Sequence, residues 1–374
     1  MINMAYFDNS ATTPIHPDVV KAMNDSNTLH FGNPSSVHSK GRKSKALIEN
    51  SRTEIAKCIG AQSEEIIFTG SGSESNNMIL WSMLYNNKKH VITSSIEHPA
   101  ITKVLISLAK FGISFTELPV DKYGMVDPDT LLKAIRKDTG LITIMMVNNE
   151  IGTVQPISEL ASIASEHNIP FHSDTVQALG KIPLLVNELN CDFLSFSAHK
   201  FYGPKGVGFL YKKKLKEIKS LTIGGSQESG YRAGTENISG IVGLAVATKL
   251  IRENLPKRIE HLKHLEKRFK ENLNNINSKI FYNGHPKIRV PGLISMTIPG
   301  YRSDIMMAKL DRKNLEVSSG SACGSGSIKP SKVLREIGHK DNINVCTLRI
   351  SFGRDNSSED VDRLANAMIS IINE

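Results

Sequence analysis

At 374 residues, with a hydrophobic fraction of 40% and a charged fraction of 22%, the chain can bury one large core and a smaller second one, and its composition is that of an ordinary globular protein. The most apolar stretch, Gly140 to Val147, is strand length and far short of the roughly 20 residues that cross a bilayer. The formal charge of +9 is scattered, and its densest run, Lys212 to Lys219, holds no aromatic side chain on which a base could stack, which argues against direct nucleic-acid binding and leaves room for an acidic protein partner.

The first residues, MINMAYFDNSATTP, have neither a basic head nor an apolar run, so no secretory signal is expected and the default location is the cytoplasm. From about residue 46 to 250, short apolar segments alternate with helix-like ones. Glu65–Gly70, His90–Ser95, Leu141–Val147, Ile169–Asp174, Asp192–Ser197 and Gly206–Tyr211 read as strands. Most are apolar on both faces, as in a largely parallel sheet covered by helices on either side, which makes the fold class α/β. In such sheets ligands sit at the carboxyl ends of the strands. After Gly240, Leu255, Ile259, Leu262, Leu265, Phe269, Leu273 and Ile276 recur at helical spacing, with Pro256 near the start. This predicts one long amphipathic helix leading into a second domain, with a large domain over 16–254 and a small one made of 1–15 and 255–374.

Three segments carry chemistry. FTGSGSESNN ends a strand at Thr69, turns through glycine and serine, and starts a helix near Glu74. Its exposed N–H groups and helix dipole suit one phosphate, although a plain helix start looks similar, and the Gly-Lys-Ser/Thr ending of a nucleotide loop is missing. In HSDTVQ, His172 and Asp174 share a strand face. An acid there either caps the next helix or keeps a cationic pyridine nitrogen protonated. In LSFSAHKFYGPKG, Lys200 follows a buried strand. A lysine so placed is usually solvated; a partly desolvated one loses ammonium stability and becomes the nucleophile that Schiff-base chemistry needs.

Phosphate turn, acid and lysine in this order resemble the class V aminotransferase branch of the fold-type I pyridoxal-phosphate enzymes, and specifically the cysteine desulfurases of the iron–sulfur and nitrogen-fixation branch. The resemblance rests on YFDNSATTP (6–14), GNPSSVHSKG (32–41), SSIEHPA (94–100), VNNEIGTVQP (147–156), HSDTVQ, SFSAHKFYGPKG, GGSQESGYRAGT (224–235), SSGSAC (318–323) and RISFGR (349–354). It implies a mainly parallel seven-stranded sheet flanked by helices, a smaller α+β domain carrying a cysteine loop at about 318–330, and pyridoxal 5'-phosphate as cofactor.

By the same resemblance, Lys200 holds the cofactor and moves substrate protons, Asp174 pairs with the pyridine nitrogen and Gln177 with the phenolic oxygen. His98 stacks on the ring. Gly72, Ser73, Ser197 and His199 hold the phosphate, with Thr235 reaching the neighbouring subunit's site, so a homodimer is implied. Asn149 and Arg354 match the residues that bind the substrate carboxylate. Cys323, in the small and polar surroundings VSSGSACGSGSIKPS, is the residue expected to take sulfur from L-cysteine as a persulfide, releasing alanine. None of Cys58, Cys191, Cys323 and Cys346 forms a C-x-x-C pair, so no metal site is expected. Gly324, Ser10 and Ala233 depart from common family residues without removing a reacting group. Only 20 residues follow Arg354, where relatives often continue into a tail that docks a scaffold. The sulfur acceptor, for iron–sulfur assembly or tRNA thiolation, is therefore open. The rival readings are a selenocysteine lyase or a transaminase on the same fold and, from another class, a non-catalytic adaptor.

Overall fold

The computed structural model describes residues 4–274, 279–320 and 329–373. Strand β1 (Ala5–Tyr6) precedes helices α1 (Pro17–Leu29) and α2 (Ser39–Ile59). Then come β2 (Ile66–Thr69), α3 (Gly72–Trp81), β3 (His90–Ser94), α4 (Pro99–Ala109), β4 (Ser114–Leu118), α5 (Pro128–Ala134) and β5 (Thr139–Thr143). They are followed by α6 (Ile157–Glu166), β6 (Phe171–Asp174), α7 (Val186–Leu189), β7 (Phe193–Ser197) and β8 (Gly208–Lys212). The rest is α8 (Ile238–Asn272), β9 (Phe281–Asn283), β10 (Leu293–Thr297), α9 (Ser303–Asp311), β11 (Leu315–Glu316), α10 (Lys332–Glu336), α11 (Asp341–Asn344), β12 (Thr347–Ser351) and α12 (Ser358–Asn373).

The central sheet has seven strands in the order β2-β8-β7-β6-β5-β3-β4. Its pairs are parallel from β7 through β6, β5 and β3 to β4, and only β8 runs against its neighbours. Parallel strands need crossovers, and here helices supply them, burying the sheet on both faces. All six strands expected from the sequence form. The fifth begins earlier than expected, at Thr139, because His90 of β3 pairs with it. Beyond Thr143 the chain still donates to β6, from Ile144 to His172 O and from Met146 to Asp174 O. The seventh strand, β4, is the one the apolar pattern hid. It is an edge strand of Ser, Phe, Thr, Glu and Leu, mostly not buried.

Pro256 does not start a helix, contrary to the sequence expectation. It lies inside α8, which begins at Ile238. The proline nitrogen has no proton for the Arg252 carbonyl, a loss usually disruptive in a helix interior. Packing supports α8 on both sides of it. Its first half lies on α1 and α2, and its second half on α12. The boundary placed at 254/255 thus falls within one continuous helix. Two apolar clusters flank it: one contains Phe196, Phe209, Leu244 and Ile251 with the seven-stranded sheet, the other Phe7, Leu262, Phe269, Met296, Leu348, Ile350 and Leu364. Residues 5–8 join the second cluster, since β1 pairs with β11 and Asp8 bridges to Ser351 of β12. Among the described residues, no helix is long and apolar enough to cross a membrane.

Candidate active site

At the carboxyl ends of β2, β6 and β7 the chain turns into a cleft of about 620 Å³. β2 ends at Thr69, and Ser71, with extended backbone, caps α3 by accepting the Glu74 N–H at 3.2 Å. The amides of Gly72 and Ser73 lie in the first turn, where no carbonyl precedes them to accept. Gly72 is required by packing, because a Cβ there would stand 2.4 Å from Val176 Cγ2. Glu74 folds back to accept Gly70 N–H at 2.7 Å and Arg232 Nε at 3.0 Å, tying the 224–235 segment to the same helix end. Gly72, Ser73, Ser197 and His199 all line the cleft at this end.

Asp174, the last residue of β6, is buried. Its Oδ2 accepts Asn76 Nδ2 at 2.8 Å and its Oδ1 the Val176 N–H at 3.0 Å, which fixes the carboxylate plane facing the cleft. His172, two residues back, is wedged between Thr143 and Ser195 at 2.8 and 2.9 Å. Burial pushes its pKa down to about 3, so the ring is a neutral strut between strands.

Lys200 follows β7. Its Nζ donates to the carbonyls of Ser10 and Ala11 at 2.8 and 2.7 Å. Burial, then the nearby Arg349, pulls its pKa from 10.5 to about 8 against the carboxylates of Asp8 and Asp174. Gln177 donates from Nε2 to the same Ser10 carbonyl at 2.8 Å, and its Oε1 accepts from Lys181. Lys181 is buried, and desolvation, reinforced by Lys200, takes its pKa far below the usual lysine value. A single N-terminal stretch, Ser10 to Thr13, therefore positions the cleft lysine, Gln177 and His199, whose Nδ1 meets Thr12 Oγ1 at 3.1 Å. Burial and the neighbouring Lys200 lower the His199 pKa to about 4.

His98 caps α4, with Nδ1 accepting the Ala100 N–H at 3.1 Å. The ring proton of the neutral form thus sits on Nε2. Desolvation lowers the His98 pKa, with Asp174 opposing and Lys200 reinforcing the effect. Beside it Glu97 is buried, its Oε1 accepting Ser94 Oγ at 2.6 Å and Met145 N–H at 2.8 Å. Burial raises its pKa to about 8. Neither Glu97 nor Lys181 was singled out from the sequence, because an acid or a lysine beside a strand carries no mark of its burial.

Arg354 is not in the cleft. Its guanidinium pairs with Asp355 at 2.7 Å, lies 5.2 Å from the centre of the Tyr202 ring and lines a different cavity. The arginine that stands in the cleft is Arg349, five positions earlier in the same motif. It lies within β12, where Leu348 and Ile350 face the second core and Arg349 takes the opposite face. Its side chain is buried, with Nη2 on Asp8 Oδ1 at 2.8 Å, Nη1 on Asn149 O at 3.1 Å, and Nε without a partner among the described residues. The alternation of Thr347, Arg349 and Ser351 with Leu348, Ile350 and Phe352 could have identified it. Asn149 lines the cleft beside it. Thr235 is exposed and does not line the cleft, and Cys323 lies outside the described residues. The three described cysteines are secluded: Cys191 and Cys346 are buried, and burial pushes the Cys58 thiol up to about 11.

The cleft suits a flat aromatic cation bearing a phosphate. It offers an amine with lowered basicity, a fixed buried carboxylate and a helix N-terminus. It also holds polar atoms with no partner among the described residues, namely Ser10 Oγ, Ser95 Oγ and Asn76 Oδ1.

The sequence profile of the class-V aminotransferase family matches residues 5–364. A cysteine desulfurase IscS of Dictyoglomus turgidum is 45% identical over 370 residues, covering 98% of this chain and 94% of the relative. Among solved structures, a NifS-like protein superposes with a TM-score of 0.93 at 34% identity, covering 99% of this chain and all of that one. A structure described as SspA in complex with cysteine gives 0.82 at 34% identity, covering 93% of this chain and 98% of that one.

Proposed function

The chain belongs to the class-V aminotransferase family, and from that premise we propose that it is a cysteine desulfurase, converting L-cysteine to L-alanine and a persulfide on Cys323. The observation that carries the reading is Lys200, a cleft lysine with a pKa near 8, in one cleft with the buried Asp174 and Arg349. Bound pyridoxal 5'-phosphate supplies an electron sink that stabilises negative charge at the substrate α-carbon. Asp174, oriented by Asn76 and the Val176 amide, holds the proton on the pyridine nitrogen. The α3 amides of Gly72 and Ser73, with Ser197 and His199, hold the phosphate. Gln177, whose Nε2 donates to the Ser10 carbonyl, would donate to the phenolic oxygen. His98, with Nδ1 held by the Ala100 amide, would stack on the ring and offer its Nε2 proton.

Arg349, with Asn149, grips the substrate carboxylate; guanidinium and carboxylate meet as a bidentate fork. Asp8 holds the guanidinium in that pose. The carboxylate role expected of Arg354 passes to Arg349, because only Arg349 is within the cleft. Lys200 Nζ, once neutral, removes the α-proton, and its lowered pKa makes the neutral form available near pH 8. Cys323 attacks the substrate sulfur as thiolate and the carbon–sulfur bond breaks; the electron pair left on the carbon skeleton takes a proton at the β-carbon, Lys200 returns the α-proton, and L-alanine leaves.

The enzyme acts in the cytoplasm as a homodimer in which Thr235 serves the neighbouring subunit. Its exposure outside its own cleft supports this part of the reading. The persulfide passes to a sulfur-acceptor protein for iron–sulfur assembly or tRNA thiolation. The test is product analysis with pyridoxal 5'-phosphate, a reductant and L-cysteine, beside Cys323→Ser. Equal amounts of sulfide and alanine from the wild type, both lost in the variant, are expected. Activity that survives the substitution would sink the persulfide step.

A further inference from the structure

Behind Lys200, walled by the two residues that follow it, Phe201 and Tyr202, lies a second cavity of about 370 Å³. That volume suits a small organic ligand. Leu250 and Ile251 make the rest of its apolar wall. Three of its lining residues are cations, Lys257, Arg258 and Arg354, with His16 and His261 beside them, and no described lining residue is an acid.

Arg258 is the anomaly. Its guanidinium lies 4.6 Å from the centre of the Tyr202 ring, a ring it shares with Arg354 at 5.2 Å. It has no ion pair and no hydrogen bond among the described residues, and its Nε is fully buried without a partner. Three residues on, and so on the same face of α8, the Nε2 of His261 is also buried and has no partner among the described residues. Among the described residues Arg354 pairs with Asp355, a half-exposed side chain. Burial, with Arg354 adding repulsion, lowers the Arg258 pKa. Two guanidiniums over one tyrosine ring are a poor arrangement for a cavity that holds nothing. An aromatic face compensates only part of the desolvation of a cation, and each guanidinium keeps donors that a carboxylate or phosphate would satisfy in pairs.

We propose that this cavity binds a small organic anion, a carboxylate or phosphate monoester with an apolar body, whose charged group lies between Arg258 and Arg354 and whose body packs on Leu250 and Ile251. The site is separate from the cleft, and the proposal does not depend on the reaction assigned to it.

The test is a calorimetric titration of the full chain loaded with pyridoxal 5'-phosphate, so that the α3 amides are occupied, using phenyl phosphate and benzoate as probes. Saturable binding at one site per chain is expected for at least one probe. The tighter of the two identifies the charged group as phosphate or carboxylate. Arg258→Met should weaken that binding by about tenfold or more, and Arg258→Lys, which keeps the charge but loses the fork, by less. Leu250→Trp, which fills the cavity and leaves every cation in place, should abolish it. Both Arg258→Met and Leu250→Trp should keep cysteine turnover, which separates loss of this site from loss of the fold. Absence of saturable binding by either probe at millimolar concentration overturns the proposal, as does binding unchanged in Arg258→Met and Leu250→Trp.

Discussion

Arg349 and Arg354 belong to one six-residue motif, yet they face different cavities, and the contrast shows how a motif distributes its chemistry. Arg349 lies within β12, with neighbours committed to the second core and its own side chain held by Asp8 and the Asn149 carbonyl. Arg354 lies beyond the strand, where alternation no longer controls direction, and it meets Tyr202 and Asp355 instead. An arginine immobilised by a carboxylate and a carbonyl is oriented before substrate arrives, so little ordering entropy remains to be lost on binding.

The contrast can be sharpened from the cleft outward. Lys200→Ala removes the group that moves the α-proton, and cysteine turnover should fall by about 10⁴. Steady-state alanine formation checks this, and retained turnover would move proton transfer to another group. Arg349→Ala should lower kcat/KM by about 100-fold, since it deletes a charged contact to the substrate and leaves Asp8 unpaired. Arg354→Ala should stay within about threefold, because a half-exposed pair with Asp355 contributes little. Equal losses in the two variants would erase the distinction between the two arginines. Asp8→Asn keeps the hydrogen bond but not the charge, and a loss of about tenfold, carried mainly by KM, is expected.

The smallest effect is a displaced titration. In the cofactor-free chain, trace acetylation of Lys200 should reach half its maximum near pH 8, whereas an ordinary lysine does so near 10.5. Peptide-resolved labelling across pH reads it directly. The sign for stability follows: with the folded value below the unfolded one, the unfolded chain binds more protons between about 8 and 10.5. This group alone therefore makes the fold more stable as pH rises through that window.

Much of this was legible in the chain. Six strands, the edge strand β2 among them, announce themselves because both of their faces are buried, and the residues at their ends sit in contiguous motifs. Asp174, Lys200 and the turn before α3 could therefore be named from the residues themselves, the family resemblance added Gly72, Gln177, Ser197 and His199, and all of them line one cleft. The edge strand β4 escaped because only Leu118 is fully buried in it, so Ser, Thr and Glu interrupt the apolar run that marked the others. The start of α8 was misplaced because a proline commonly opens a helix, and only the packing of α1, α2 and α12 carries this one through Pro256.

The sequence by itself determined the layered α/β fold and the residues that follow each strand, since alternation and local turn chemistry are properties of neighbouring residues. Tertiary structure decided the rest: which arginine enters the cleft, that Asp8 and the Ser10 carbonyl reach it from the opposite end of the chain, and that Lys181 and Glu97 are buried. These depend on strand pairing and burial between segments hundreds of residues apart, and charge and pKa respond to that burial, which no local pattern records.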